Sequence, residues 1–139
     1  MLAMAEQVMI IMGSESDRKV MTKAEDILGS AGIEYKTHVS SAHRDPDGTR
    51  TLVEAAESSG VGVIIAGAGM SAALPGYCAS LCKLPVIGVP IASGALQGMD
   101  ALLAIAQMPP GVPVAAVGID GAKNAAHLAL RILGNASRG

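Results

Sequence analysis

Short, unbroken apolar runs, each stopped by a glycine- or proline-marked loop, constrain this chain more than any other feature. Val8-Met9-Ile10-Ile11-Met12 ends at Gly13, Val61 to Ala66 ends at Gly67, and Pro85 to Val89 ends at Pro90. A strand wet on one face alternates apolar and polar residues, whereas one covered on both faces reads as a continuous apolar run, as in a parallel sheet. Helical spacing fills the intervals. Ser16 or Asp17 is placed to cap a helix carrying Val20, Met21, Ala24, Ile27 and Leu28, which Gly32 stops. Pro46 opens a second helix, where its missing N–H does no harm, and Leu52, Val53 and Ala56 face inward with Ala55 beside them.

The remaining elements follow the same rhythm. Ile33 to Val39 shows polar alternation and is expected at a sheet edge; Pro113 to Ile119 is expected as a fifth strand. Leu74 to Leu81, Gly98 to Gln107 (with Met99, Leu102, Leu103 and Ile105) and Ala122 to Leu133 read as helices, and residues 135–139 as a frayed tail. Parallel neighbours need crossover connections, so the alternation predicts a three-layer α/β/α, flavodoxin-like domain with strand order 2-1-3-4-5. At 139 residues this is one domain, residues 1–139, with no internal repeat or linker.

Composition narrows the function. The chain has no Phe, no Trp and two Tyr, so its core must be filled by Val, Ile, Leu, Ala and Met. Half its residues are apolar and only 16% are charged, which predicts apolar surface buried between subunits of a homo-oligomer. A formal net charge of −2 provides no basic footprint for nucleic acid. No apolar run reaches the roughly 18 residues of a membrane span. With no basic residue ahead of the first apolar stretch, no signal peptide is expected. Cys78 and Cys82, four apart, form neither a zinc framework nor a disulfide scaffold, and the expectation is a reduced, cytoplasmic protein with both thiols in the core or an interface.

Three polar loops follow strand ends. The first, Gly13-Ser14-Glu15-Ser16-Asp17, offers backbone N–H groups and two hydroxyls at a helix N-terminus, a suitable cradle for phosphate. The second, Ser41-Ala42-His43-Arg44-Asp45-Pro46, sets an imidazole beside a guanidinium that can close on the same phosphate. The third runs from Gly67 to Gly76. Asp17 can accept from ribose hydroxyls. Alone, each loop has an ordinary structural meaning: a turn-and-cap, a loop histidine, a close backbone approach. Together they fall outside the carboxyl ends of neighbouring strands, where open α/β sheets bind ligands. Neither a Walker loop nor a Gly-x-Gly-x-x-Gly fingerprint follows the first strand.

Met-Gly-Ser-x-Ser-Asp at 12–17, Ser-Ala-His-Arg at 41–44 and Ala-Gly-Ala-Gly…Leu-Pro-Gly at 66–76 resemble the PurE family of purine biosynthesis. Gly88-Val89-Pro90, Gln107-Met108-Pro109, Gly111-Val112-Pro113 and Lys123-Asn124-Ala125-Ala126 extend the likeness over about residues 7–134. The resemblance implies an enzyme, usually octameric, that forms 4-carboxy-5-aminoimidazole ribonucleotide (CAIR) without metal, biotin or ATP. One branch, the mutase, moves the carboxylate of N5-CAIR to C4 of the ring; the other carboxylates aminoimidazole ribonucleotide (AIR) with CO2. It assigns His43 as proton shuttle and Ser14, Asp17, Ser41 and Arg44 to the ribose phosphate, with Ser16 beside them. Backbone groups around Ala68 and Gly69, with Ser71, would line the carboxylate or CO2 pocket, and Leu74 is a further substrate-binding position.

The third loop departs from the mutase pattern. Met70 and Ser71 replace a Gly-Ala pair, and Ala73 stands where that branch has a second histidine. Ser71 and Ala73 resemble the CO2-using branch, whereas Arg44, Pro75 and Gly88-Val89-Pro90 resemble the mutase. The mutase is the leading expectation. Direct AIR carboxylation, a paralogue acting on another carboxylated heterocycle, and a nucleotide binder without catalysis are the alternatives. Relatives often carry a further C-terminal helix that reaches neighbouring subunits, whereas this chain stops at Gly139.

Overall fold

The computed structural model describes residues 7–138. Strand β1 (Val8–Met12) is buried at every position, as its unbroken apolar run requires. It lies between β2 (Tyr35–Val39) and β3 (Val63–Gly69); β4 (Val86–Ile91) and β5 (Ala115–Ala116) extend the sheet beyond β3. All pairings are parallel and the order is 2-1-3-4-5, as the helical crossovers predict. Helices are α1 (Arg18–Ser30), α2 (Pro46–Ser58), α3 (Leu74–Leu81), α4 (Met99–Ala106) and α5 (Ala122–Arg138).

Period-two alternation divides the core into two layers. Val8, Ile10 and Met12 of β1, with Val63, Ile65, Ile87 and Val89, meet Val20, Met21, Ala24 and Leu28 of α1 and the alanines 122, 125, 126 and 129 of α5. Met9, Ile11, Ile64, Ala66 and Val86 point the other way, against Val53 and Ala56 of α2, Leu74 and Cys78 of α3, and Ala101 and Ile105 of α4. The half-buried pattern of β2 fits the edge position expected from its polar residues. Burial pushes the Cys78 thiol up to about 12, which makes it a core residue and no nucleophile.

Several boundaries differ from the sequence expectation. Strand β3 runs on through Gly67, Ala68 and Gly69, so the third loop begins at Met70. Strand β4 passes through Pro90 to Ile91. Proline is tolerated there because β5 has already ended on that side, and the Pro90 carbonyl accepts from the Asp120 N–H at 2.7 Å. Strand β5 has two paired residues instead of seven. Asp17 holds the N-cap position of α1, as expected, but makes no side-chain capping bond there; the capping bonds are formed one turn earlier, by Ser14 ahead of a 3-10 turn over Glu15–Asp17. On α2 the inward residue beyond Val53 and Ala56 is the fully buried Thr49, while Ala55 is exposed. Helix α5 continues to Arg138 and takes in most of the segment read as a tail; Gly139 lies outside the described residues.

Glycines inside strands let helices approach the sheet. A Cβ at Gly88 would overlap Ile105 of α4 and sit 3.2 Å from Pro75 of α3 and from Val114. Gly88→Val is therefore expected to cost about 1–3 kcal/mol through overpacking. Urea denaturation should show this as a lowered midpoint, with Gly118→Ala, which has open space around its Cβ position, close to wild type.

Candidate active site

The first loop is rigid because it satisfies its own donors. The Ser14 N–H donates to Asp17 Oδ2 at 3.2 Å, and the Ser16 N–H donates to Ser14 Oγ at 3.3 Å. The two serine hydroxyls are 3.0 Å apart. This capping arrangement holds both at the N-terminal turn leading into α1, where the helix dipole favours an anion. Burial raises the carboxyl of Asp17 above its usual range, and its bond from the Ser14 backbone pulls the other way. Arg18 is engaged with Glu15 at 2.9 Å on the exposed side of the turn.

The second loop is anchored from below. Ser40 and Thr49 are buried and their hydroxyls lie 2.6 Å apart, while the Ser40 N–H donates to the Met12 carbonyl at 2.9 Å. These bonds tie the end of β2 to both β1 and α2. Above them, Ser41 Oγ accepts from the Arg44 N–H at 3.1 Å, and Asp45 caps α2 through Gly48 N–H at 3.0 Å. Tyr77 of α3 donates its hydroxyl hydrogen to the Pro46 carbonyl at 2.9 Å, bracing the start of α2. His43 and Arg44 are left at the exposed crest. Among the described residues Arg44 enters no ion pair, so its charge faces the cavity unspent.

Every site residue expected from sequence lines one cavity of about 390 Å³: Ser14, Ser16 and Asp17 from the first loop, Ser41, His43 and Arg44 from the second, and Ala68, Gly69, Ser71 and Leu74 from β3, the turn after it and the start of α3. Ala68 and Leu74 are buried in its floor and Ser71 is exposed at its rim. Ala73 precedes α3 and puts a methyl group where an imidazole would bring a second titratable ring. The wall also includes Met70, from the third of the expected loops, and Ser93, which the sequence argument did not place in the site. Ser93 follows β4, and a strand ended at Pro90 gave no reason to extend the site to it. A larger cleft, about 690 Å³, opens at the opposite sheet end among Leu81, Leu84, Pro85, Val86 and Pro113. It is mainly apolar and lacks the converging hydroxyls, imidazole and guanidinium of the smaller one.

The arrangement can hold a phosphorylated ligand by its phosphate at the first two loops and present the rest of it to β3 and an imidazole. Known proteins agree in kind. The AIR carboxylase family matches residues 7–139. A Pyrococcus abyssi protein named N5-carboxyaminoimidazole ribonucleotide mutase is 58% identical over 127 residues, 91% of this chain and 73% of that one. A Saccharolobus solfataricus protein of the same name is 57% identical over 128 residues, 92% of this chain and 81% of that one. The crystal structure of Treponema denticola PurE superposes with a TM-score of 0.84 at 33% identity, covering 92% of this chain and 80% of that one. With its sheet order, its cavity and its sequence in agreement, the chain belongs to the AIR carboxylase family.

Proposed function

We infer that this protein is an N5-CAIR mutase of purine biosynthesis, a cytoplasmic isomerase that moves a carboxylate from N5 to C4 of an aminoimidazole ribonucleotide. The observation that carries this is the convergence of His43, Arg44 and the Ser14–Asp17 loop on one cavity, in a chain similar to proteins of that name. Arg44, Ser14, Ser16 and Ser41 hold the phosphate through charge-assisted hydrogen bonds. Asp17 accepts from the ribose hydroxyls through the carboxylate oxygen not bonded to Ser14. The base then lies over Ala68, Gly69, Ser71 and Leu74, where water is displaced.

The chemistry asks for little more than containment and one proton carrier. Breaking the N5–carboxylate bond releases CO2 and leaves an electron pair on N5, which takes a proton. The C4 position of the electron-rich ring attacks the retained CO2, forming the C–C bond, and C4 then loses its proton. His43 serves both transfers, since an imidazole can donate and accept near neutral pH. Holding CO2 against C4 makes the second step effectively unimolecular. Atoms and charge balance, because the net reaction is an isomerisation. A single histidine suffices, which is why Ala73 is compatible with the mutase reaction.

Purified protein should form CAIR from N5-CAIR without added bicarbonate and make little from AIR plus bicarbonate. Efficient bicarbonate-dependent use of AIR, with N5-CAIR ignored, would establish the direct carboxylase instead. His43→Asn is expected to lower kcat by roughly 100-fold or more while keeping the affinity for CAIR; lost folding or lost binding would count against the shuttle role. Asp17→Asn separates ligand recognition from stability. A folded-state pKa raised by burial means that the native protein takes up a proton before the unfolded chain does, so ionised Asp17 opposes folding at neutral pH. Stability of the wild type relative to Asp17→Asn should therefore rise as pH falls through that raised pKa towards the ordinary aspartate value. At pH 7 the variant should match or exceed the wild type in urea while binding CAIR more weakly.

Leu96, Met99 and Leu103 are exposed on and beside α4, an apolar group that fits burial between copies of the chain. The protein assembles as a homo-oligomer, and by its family likeness as an octamer. Light scattering on the purified protein should give eight chains, and Leu103→Lys should shift the distribution to smaller species.

A further inference from the structure

Three residues other than glycine adopt left-handed backbone among the described residues: Met70 (φ 53°), Gln97 (φ 52°) and Asp120 (φ 57°). They lie in the three loops after β3, β4 and β5, all at the sheet end that carries the cavity. Strain of this kind persists where the surrounding structure holds it in place, and it concentrates at functional sites. Here the bonds that hold it can be followed. The Asp120 N–H donates to the Pro90 carbonyl at 2.7 Å, and Asp120 Oδ1 accepts from the Ala92 N–H at 2.9 Å. One residue thus grips the chain on both sides of Ile91, where β4 leaves the sheet.

The residue delivered by that grip is Ser93. It lies against Gly69, where an added Cβ would come within 3.1 Å of the Ser93 Cβ and 3.8 Å of its hydroxyl oxygen. Left-handed Gly94 (φ 72°) then turns the chain beside the Met70 side chain. Ser93 lines the cavity, and no hydrogen bond within the described residues engages its hydroxyl. In the strand order, β4 is separated from β1 by β3. The Ser93 wall is therefore about two strand spacings, roughly 10 Å, from the phosphate-binding turn after β1. In the binding mode inferred above the base lies over Ala68 and Gly69, and Ser93 stands directly against Gly69.

We propose that Ser93 is a further substrate-binding residue, donating its hydroxyl hydrogen to the carboxylate that is transferred, and that Asp120 is its positioning residue. This assignment rests on the mutase function inferred above. A hydroxyl is suited to the task because it binds the carboxylate without a competing charge, and it leaves the CO2 released in mid-reaction free to turn towards C4. Asp120 acts at one remove, through the Ala92 backbone, and touches no ligand itself.

Calorimetric titration of CAIR and of AIR into wild type, Ser93→Ala, Asp120→Asn and Asp120→Gly tests the assignment. Ser93→Ala should weaken CAIR roughly tenfold, the loss of a hydrogen bond to a charged group, and leave AIR unchanged. Asp120→Asn keeps an oxygen acceptor for Ala92 and should bind both ligands as wild type does. Asp120→Gly tolerates the left-handed backbone without the acceptor and should reproduce the selective loss of CAIR. Equal weakening of CAIR and AIR by Ser93→Ala would place the contact on the amine or ribose and overturn the carboxylate assignment. An unchanged CAIR-to-AIR affinity ratio in that variant, with wild type binding both, would overturn it alone. Wild type that binds neither ligand would bring down the mutase function and this assignment together.

Discussion

Everything in this molecule depends on β1 being covered on both faces and paired on both edges. Its five residues are buried, with β2 in register on one side and β3 on the other. No backbone N–H or C=O of such a strand can turn to water, so its neighbours must supply the bonds along its length. Parallel pairing then forces every connection to cross back over a face, which puts all carboxyl-end turns at one edge of the sheet. The Ser14, His43 and Met70 loops meet because β1, β2 and β3 are adjacent and point the same way.

Without phenylalanine or tryptophan, the two layers are assembled from small and flexible pieces. Alanines along α5 let that helix lie close to the sheet, and methionines 9, 12 and 21 fill the irregular volume that rings would otherwise occupy. Gly67 serves the same end from the strand side, since a Cβ there would press on Met21 and Ile91. Close approach has a consequence for the site. On the opposite face Gly88 lets Pro75, in the first turn of α3, lie close to the sheet, and Ala68, Ala72 and Leu74 form a cavity floor with no polar side chain.

The cavity rim works by the opposite means, with short polar side chains bonding backbone groups nearby. Ser14 with Asp17, Ser41 with Arg44 and Asp45 with Gly48 fix loop shapes before any ligand arrives. Such preorganisation lowers the ordering cost of binding. Among the described residues it also leaves His43 and Arg44 as long side chains at the crest without a hydrogen-bond or ion-pair partner.

Much of this was legible in the residues. Val8–Met12 reads as a doubly covered strand because burial on both faces removes the need for alternation, and α3 was placed at Leu74–Leu81 as observed. The loop residues His43, Arg44, Ser14 and Asp17 were recognisable because their chemistry is unusual at a strand end. Pro90 misled, since a missing N–H ends a central strand but is harmless where the neighbouring strand has stopped, and only the length of β5 shows that. Ser93 was silent for the same reason: one serine among small residues has no pattern, and its place in the cavity comes from Asp120, 27 positions along the chain. Apolar periodicity and loop chemistry, being local, determined the sheet, its order and which strand-end loops line the cavity. Which strand ends where, and which hydroxyl faces the cavity, the tertiary structure alone decided, because those depend on bonds between segments that sequence spacing does not relate.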